Sequence, residues 1–200
     1  MDVGHPYRAV TPTLEGSVLV TLAATNKPLT GREVARLTGR QAHSGVLDAL
    51  GRLTEHGLVH REEAGRALLY KLNRDHLAAP AVEVLAGMRS ELFRRLRELV
   101  VDWTHRAVHV SVFGSTARGD GDATSDVDLF VVRPDAVHAE DATWQRQLEE
   151  LASAVRRWAG NHASVAEVSA STRHTRPASA APTHRSAWPS STSGRTNSPA

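Results

Sequence analysis

The sequence predicts an α+β chain in which a small helical module ending in a β-hairpin precedes a second module built on a sheet. Three observations carry this. Apolar residues recur at helical spacing through residues 14–53 and again through 85–99. Two apolar runs of strand length, 108–113 and 127–132, flank a loop rich in Gly and Asp. From Ser171 onward all periodicity stops.

The elements follow in order. Leu14, Val18, Leu19 and Leu22 mark one face of a first helix. Thr30-Gly31-Arg32-Glu33 reads as a capping box: the Thr30 hydroxyl accepts an N-terminal N–H and Glu33 reaches back. Val34 and Leu37 continue that short second helix, and Gly39 supplies the turn. Val46, Leu50 and Leu53 share a face of a third helix, which stops near His56-Gly57 because glycine tolerates the left-handed cap. Residues 58–61 and 67–72 then read as two strands joined through Glu63-Ala64-Gly65-Arg66.

Three helices followed by a hairpin, with ALGRLTEHGLV before the hairpin, resemble the winged helix-turn-helix regulators of the MarR/ArsR type. The resemblance places a winged-helix domain at 1–76 and implies a third helix that enters the major groove of duplex DNA, with the hairpin along the backbone. Gln41, His43 and Ser44 would then reach bases, and Arg40, Arg61 and Arg66 would meet phosphates. Such modules also serve as protein-binding or dimerisation domains, and the basic count on this face is modest.

Residues 77–104 are expected to form a connecting helix. Leu85, Met88, Leu92, Leu96 and Leu99 make a stripe with Arg94, Arg95 and Arg97 off it. The stripe suits packing within the chain or the seam of a homodimer.

The most specific segment follows. Val108, Val110 and Val112 alternate into Phe113-Gly114-Ser115; ten residues later Asp126-Val127-Asp128 opens an apolar strand that reads as central to its sheet. Alternation puts Asp126 and Asp128 on one side. Two carboxylates beside a glycine turn with free N–H groups suit a divalent cation and phosphate. A helix is expected at 141–158, with Trp144, Leu148, Leu151 and Val155 inward, and a third strand at 164–169 containing Glu167.

Gly-Ser, about ten residues, then Asp-x-Asp, with Ala117-Arg118-Gly119 between, resembles the signature of the DNA polymerase β-like nucleotidyltransferase superfamily in its minimal nucleotidyltransferase branch. The resemblance covers roughly residues 105–170. It implies transfer of a nucleotidyl group, AMP from ATP, to a hydroxyl acceptor with release of pyrophosphate, using a two-ion Mg²⁺ site. Asp126 and Asp128 would hold metal, Gly114, Ser115 and Arg118 the nucleotide, and Glu167 would be the third carboxylate. Members of the branch include antitoxins that adenylylate a toxin partner and enzymes that adenylylate aminoglycosides. A DNA-binding regulator whose transferase domain senses nucleotide, or is inactive, is the alternative. Asp120 and Asp122 read as turn residues beside their glycines.

Composition sets the frame. The chain has 200 residues, 40% of them hydrophobic, and no cysteine, which excludes disulfides and thiolate metal sites. No run is long enough to span a bilayer, and MDVGHPYRAV lacks the regions of a signal peptide; a cytoplasmic protein without a membrane partner is the default expectation. The net charge of +2 belongs to the tail. Residues 171–200 hold four Arg and no acid, and without them the chain has 20 basic and 22 acidic residues. That tail offers no core and is expected to be disordered. It reads either as an interaction tail or, given its abrupt onset where the fold is expected to continue, as out-of-frame coding in place of native helices.

Overall fold

The computed structural model describes residues 1–39 and 43–172, so the expectation for the tail falls almost wholly outside the described residues. Six helices and six strands, arranged in two three-stranded sheets, are present among them.

The first module contains α1 (Leu14–Ala23), β1 (Leu29–Thr30), α2 (Gly31–Leu37), α3 (His43–Glu55), β2 (Val59–Ala64) and β3 (Ala67–Leu72). Its sheet runs β1-β3-β2, antiparallel throughout. The capping box at α2 forms as its residues dictate: the Thr30 hydroxyl accepts from Glu33 N, and Glu33 Oε2 accepts from Thr30 N at 2.7 Å. Val18, Leu22, Val34, Val46, Leu50, Leu53 and Tyr70 close one core.

Helix α4 (Ala79–Val101) joins two cores rather than lying between them. Ala79 and Val82 near its start are buried in the first core, while Leu92 and Leu96 are buried in the second. Its apolar stripe is thus engaged within the chain along much of its length. Val82, absent from the expected stripe, is one of its buried residues, whereas Leu85 and Met88 are only half-buried.

The second sheet contains β4 (His109–Phe113), β5 (Val127–Arg133) and β6 (Ala163–Ser169), in the order β4-β5-β6. Strand β5 is central, antiparallel to β4 and parallel to β6. Val108 lies outside β4 and is exposed, but Val110 and Val112 are buried as their alternation requires. Helix α6 (Ala142–Ala159) follows, capped by Asp141, whose carboxylate accepts from Thr143 N and Trp144 N. Those N–H groups, Trp144 first, hold the Asp141 carboxyl below its usual range. Trp144, Leu151 and Val155 on α6 pack with Val127, Leu129 and Val131 of β5 and with Leu92 and Leu96 of α4. One face of the sheet therefore carries both helices.

The first residues of the chain pack in this second core too. Val3 is buried there, and Gly4 lies against the Gly119 carbonyl so closely that a Cβ would sit 2.4 Å from its oxygen. No helix among the described residues is long and apolar enough to cross a membrane.

Candidate active site

Strand β4 ends at Phe113, and the chain turns at once into a five-residue helix, α5 (Gly114–Arg118). Gly114 takes φ +66°, a left-handed conformation that costs a side-chain-bearing residue but not glycine. Space demands glycine as well. A Cβ at Gly114 would lie 2.2 Å from Asp128 Oδ2, so the turn and the carboxylate are in direct apposition. The pairing of Phe113 with Asp128 across β4 and β5 sets this contact.

The loop from Gly119 to Ser125 closes over the turn. A Cβ at Gly121 would stand 3.0 Å from Ser115 Oγ. Asp122 organises the loop by accepting from Thr124 N, Thr124 Oγ1 and Ser125 Oγ. These bonds, the Thr124 hydroxyl first, hold its carboxyl down to about 2. Asp122 is thus a turn residue. Arg118 pairs with Asp120 at 2.9 Å, with both side chains more than half exposed.

Asp126 is exposed and Asp128 half-buried. Among the described residues neither carboxylate has an ion-pair or hydrogen-bond partner. Two unneutralised carboxylates at alternate positions, next to a turn with no side chain between, suit a divalent cation that takes its other oxygen ligands from phosphate and water. Among the described residues no group of three His, Asp or Glu side chains comes together as a metal-ligand set.

Glu167 does not join them. In the parallel register Glu167 is opposite Val131, and Ser164 is opposite Asp128. Side chains at paired positions share a face, so Glu167 belongs with Val127, Leu129 and Val131, on the side covered by α6. It is engaged there: Glu167 Oε1 accepts from Arg133 Nε at 2.6 Å and from Trp144 Nε1 at 3.1 Å. The expectation of a third carboxylate on the Asp128 face is corrected by this parity. Glu167 is the only acid in β6, and the β6 residues on the Asp128 face are Ser164, Ala166 and Val168.

Of the expected DNA-contact residues, four lie among the described residues. Arg40 and Gln41 lie outside the described residues; His43 opens α3, and Ser44 in its first turn is exposed. Arg61 in β2 and Arg66 in the hairpin turn are exposed. Two polar residues that bond the backbone between the turn and the carboxylate strand do not follow from the sequence reading. Asn161, buried after α6, donates from Nδ2 to Ser125 O at 2.9 Å and to Met1 O at 3.0 Å. Arg89, on α4, reaches the carbonyls of α5. Neither residue lies in a local motif; only the fold brings them there.

The family model described as a nucleotidyltransferase domain matches residues 90–160, about a third of the chain. The match supports nucleotidyl transfer as the general class of activity. It contains Gly114, Ser115, Arg118, Asp126 and Asp128, and stops short of Glu167. No curated protein matches the chain significantly. Two solved structures resemble it weakly. RV1404 from Mycobacterium tuberculosis has 19% identity and a TM-score of 0.35 over 48% of this chain and 68% of that one. Human N-acetylserotonin methyltransferase, solved in complex with SAM, has 18% identity and a TM-score of 0.30 over 50% of this chain and 31% of that one. Neither score defines a shared fold.

Proposed function

We propose that the second module binds a magnesium–nucleoside triphosphate, ATP as the first candidate, and transfers its nucleotidyl group slowly to a hydroxyl acceptor. The observation that carries this is the apposition of Gly114 to Asp128. It supports a triphosphate seated on the Gly114-Ser115 turn with its metal on Asp126 and Asp128. Mg²⁺ bound there would neutralise phosphate charge during in-line displacement. Ser115 would contribute its hydroxyl and backbone N–H to the phosphates. Arg118 would leave Asp120 to meet them, a small cost for a solvent-exposed pair.

The expectation of slow transfer rests on the absence of a carboxylate on the Asp128 face of β6. That same observation favours a second reading, in which nucleotide binding is a signal and the first module delivers it. The order of three helices and a hairpin, with Ser44, Arg61 and Arg66 exposed, supports duplex DNA as the partner of that module. A toxin-like protein as hydroxyl acceptor belongs to the first reading.

Calorimetric titration of ATP into the full chain, with Mg²⁺ and with chelator, tests the common core of both readings; affinity that does not depend on the metal would count against it. Transfer of label from α-labelled ATP to a co-expressed partner then separates them. Glu62 and Glu63 keep the hairpin near charge balance. Two phosphate contacts, from Arg61 and Arg66, should give a log–log salt slope for duplex binding of about −2. Salt-independent binding, or none across a random duplex library, would leave the first module a protein-interaction domain.

A further inference from the structure

We infer that Arg89 is a positioning residue for the nucleotide site, acting from α4 through Thr116 to set the spacing between the Gly114-Ser115 turn and the carboxylate strand. This rests on the proposed nucleotide-binding reading. Arg89 lies one residue before the segment that matches the family model.

The connection is continuous. Arg89 Nη2 donates to Thr116 O at 3.0 Å and to Ala117 O at 3.2 Å. These carbonyls lie in α5, where the short helix has no further turn to bond them, and a cation is favourable at that end. Thr116 is buried, and its hydroxyl donates to Asp126 O at 3.3 Å. One residue of α5 therefore touches both the arginine and the backbone of the metal-binding carboxylate. The guanidinium also packs 5.5 Å from the centre of the Phe93 ring and lies against Gly119.

Arg89 Nε is buried and has no hydrogen-bond partner among the described residues. An orphaned buried N–H is a cost that calls for an explanation. The arginine is held in place by the α5 carbonyls and the ring, at the expense of its own third donor position. A residue selected for packing alone would not need the charge. Without it, α5 keeps its cap at Gly119 but loses its tie to α4, and the turn can shift relative to Asp128. Small displacements of this kind are expensive when several groups must grip one ligand.

The test uses the full chain and Mg²⁺-ATP as the probe. Arg89→Ala should weaken binding by about tenfold to a hundredfold, the range typical for residues that orient metal ligands. Guanidinium at a non-denaturing concentration should restore much of that affinity, and Arg89→Lys should retain more of it than Arg89→Ala, since an ammonium can still reach a carbonyl. Thr116→Val, which keeps the volume and removes the hydroxyl, should weaken binding in the same direction and gives an independent reading if Arg89→Ala does not fold. Wild-type affinity in folded Arg89→Ala or in Thr116→Val would overturn this inference alone. A loss in Arg89→Ala that neither guanidinium nor lysine relieves would also overturn it, since that is the signature of a merely structural residue. Failure of the wild-type chain to bind Mg²⁺-ATP would overturn the nucleotide reading and this inference with it.

Discussion

Replacing Asp128 with alanine is expected to remove metal-dependent ATP binding, by at least about a hundredfold, without lowering the stability of the chain. Residues that merely orient metal ligands typically cost 10–100-fold when lost, so a ligand should cost no less. Stability moves independently because the Asp128 carboxylate has no partner among the described residues. It lies against the Gly114 turn, where its Oδ2 occupies the space a Cβ would need. Removing an unpaired, half-buried charge relieves a desolvation cost and sacrifices no bond. The strand keeps its ladder to Phe113 and Ser164, which involves backbone alone. Equal or slightly higher resistance to denaturant, together with lost ATP affinity, is the combination expected of a group placed for function. Equal ATP affinity in wild type and variant would remove Asp128 from the site. A large loss of stability would show instead that the carboxylate has a structural role.

Much of this architecture is legible in the sequence because it is local. The Thr30–Glu33 box and the α1 and α3 stripes each depend on residues a few positions apart, and each forms as its chemistry requires. The face occupied by Glu167 is a different kind of fact. A strand's own alternation says which residues share a side, and only the register against its neighbour says which side that is. The pairing of Val127 with Ala163 decides it. A clue was nonetheless present. Glu167 has the parity of Ala163 and Val165, and both of these pack against the core. Consistent amphipathicity would have put Glu167 there too, under α6 and away from Asp128. Arg89 carried no clue at all. It sits on a helix whose stripe reads as packing, and its contacts with Thr116 and Ala117 span 27 and 28 residues. The reach of α4 into both cores is likewise a tertiary result. Its periodicity describes one face without saying which residues cover it.

Glu167→Gln is expected to cost stability and to leave Mg²⁺-ATP binding unchanged, the reverse of what a catalytic carboxylate would show. The Arg133 and Glu167 side chains are only 14% and 21% exposed, and the contact is close. Arg133 also donates to Val137 O, so the arginine is fixed on both sides and cannot turn to solvent without leaving that carbonyl. Glutamine retains an acceptor for Arg133 and the Trp144 indole but removes the charge opposite a poorly hydrated guanidinium. Hydrogen bonds to charged groups contribute about 1.5–3 kcal/mol, so a loss of about 2 kcal/mol is expected. Truncation to alanine should cost more, because it also strands the Trp144 N–H. A double-mutant cycle with Arg133→Gln, read by urea unfolding, should show coupling above about 0.5 kcal/mol, as expected for residues in one network. ATP affinity serves as the control. Loss of binding or of label transfer in Glu167→Gln at unchanged stability would mean that this carboxylate works on the Asp128 face after all, with β6 shifted by one residue from the register found here. Loss of stability alone would establish Glu167 as the strut between β5, β6 and α6. Any transfer the protein performs would then rest on Asp126 and Asp128.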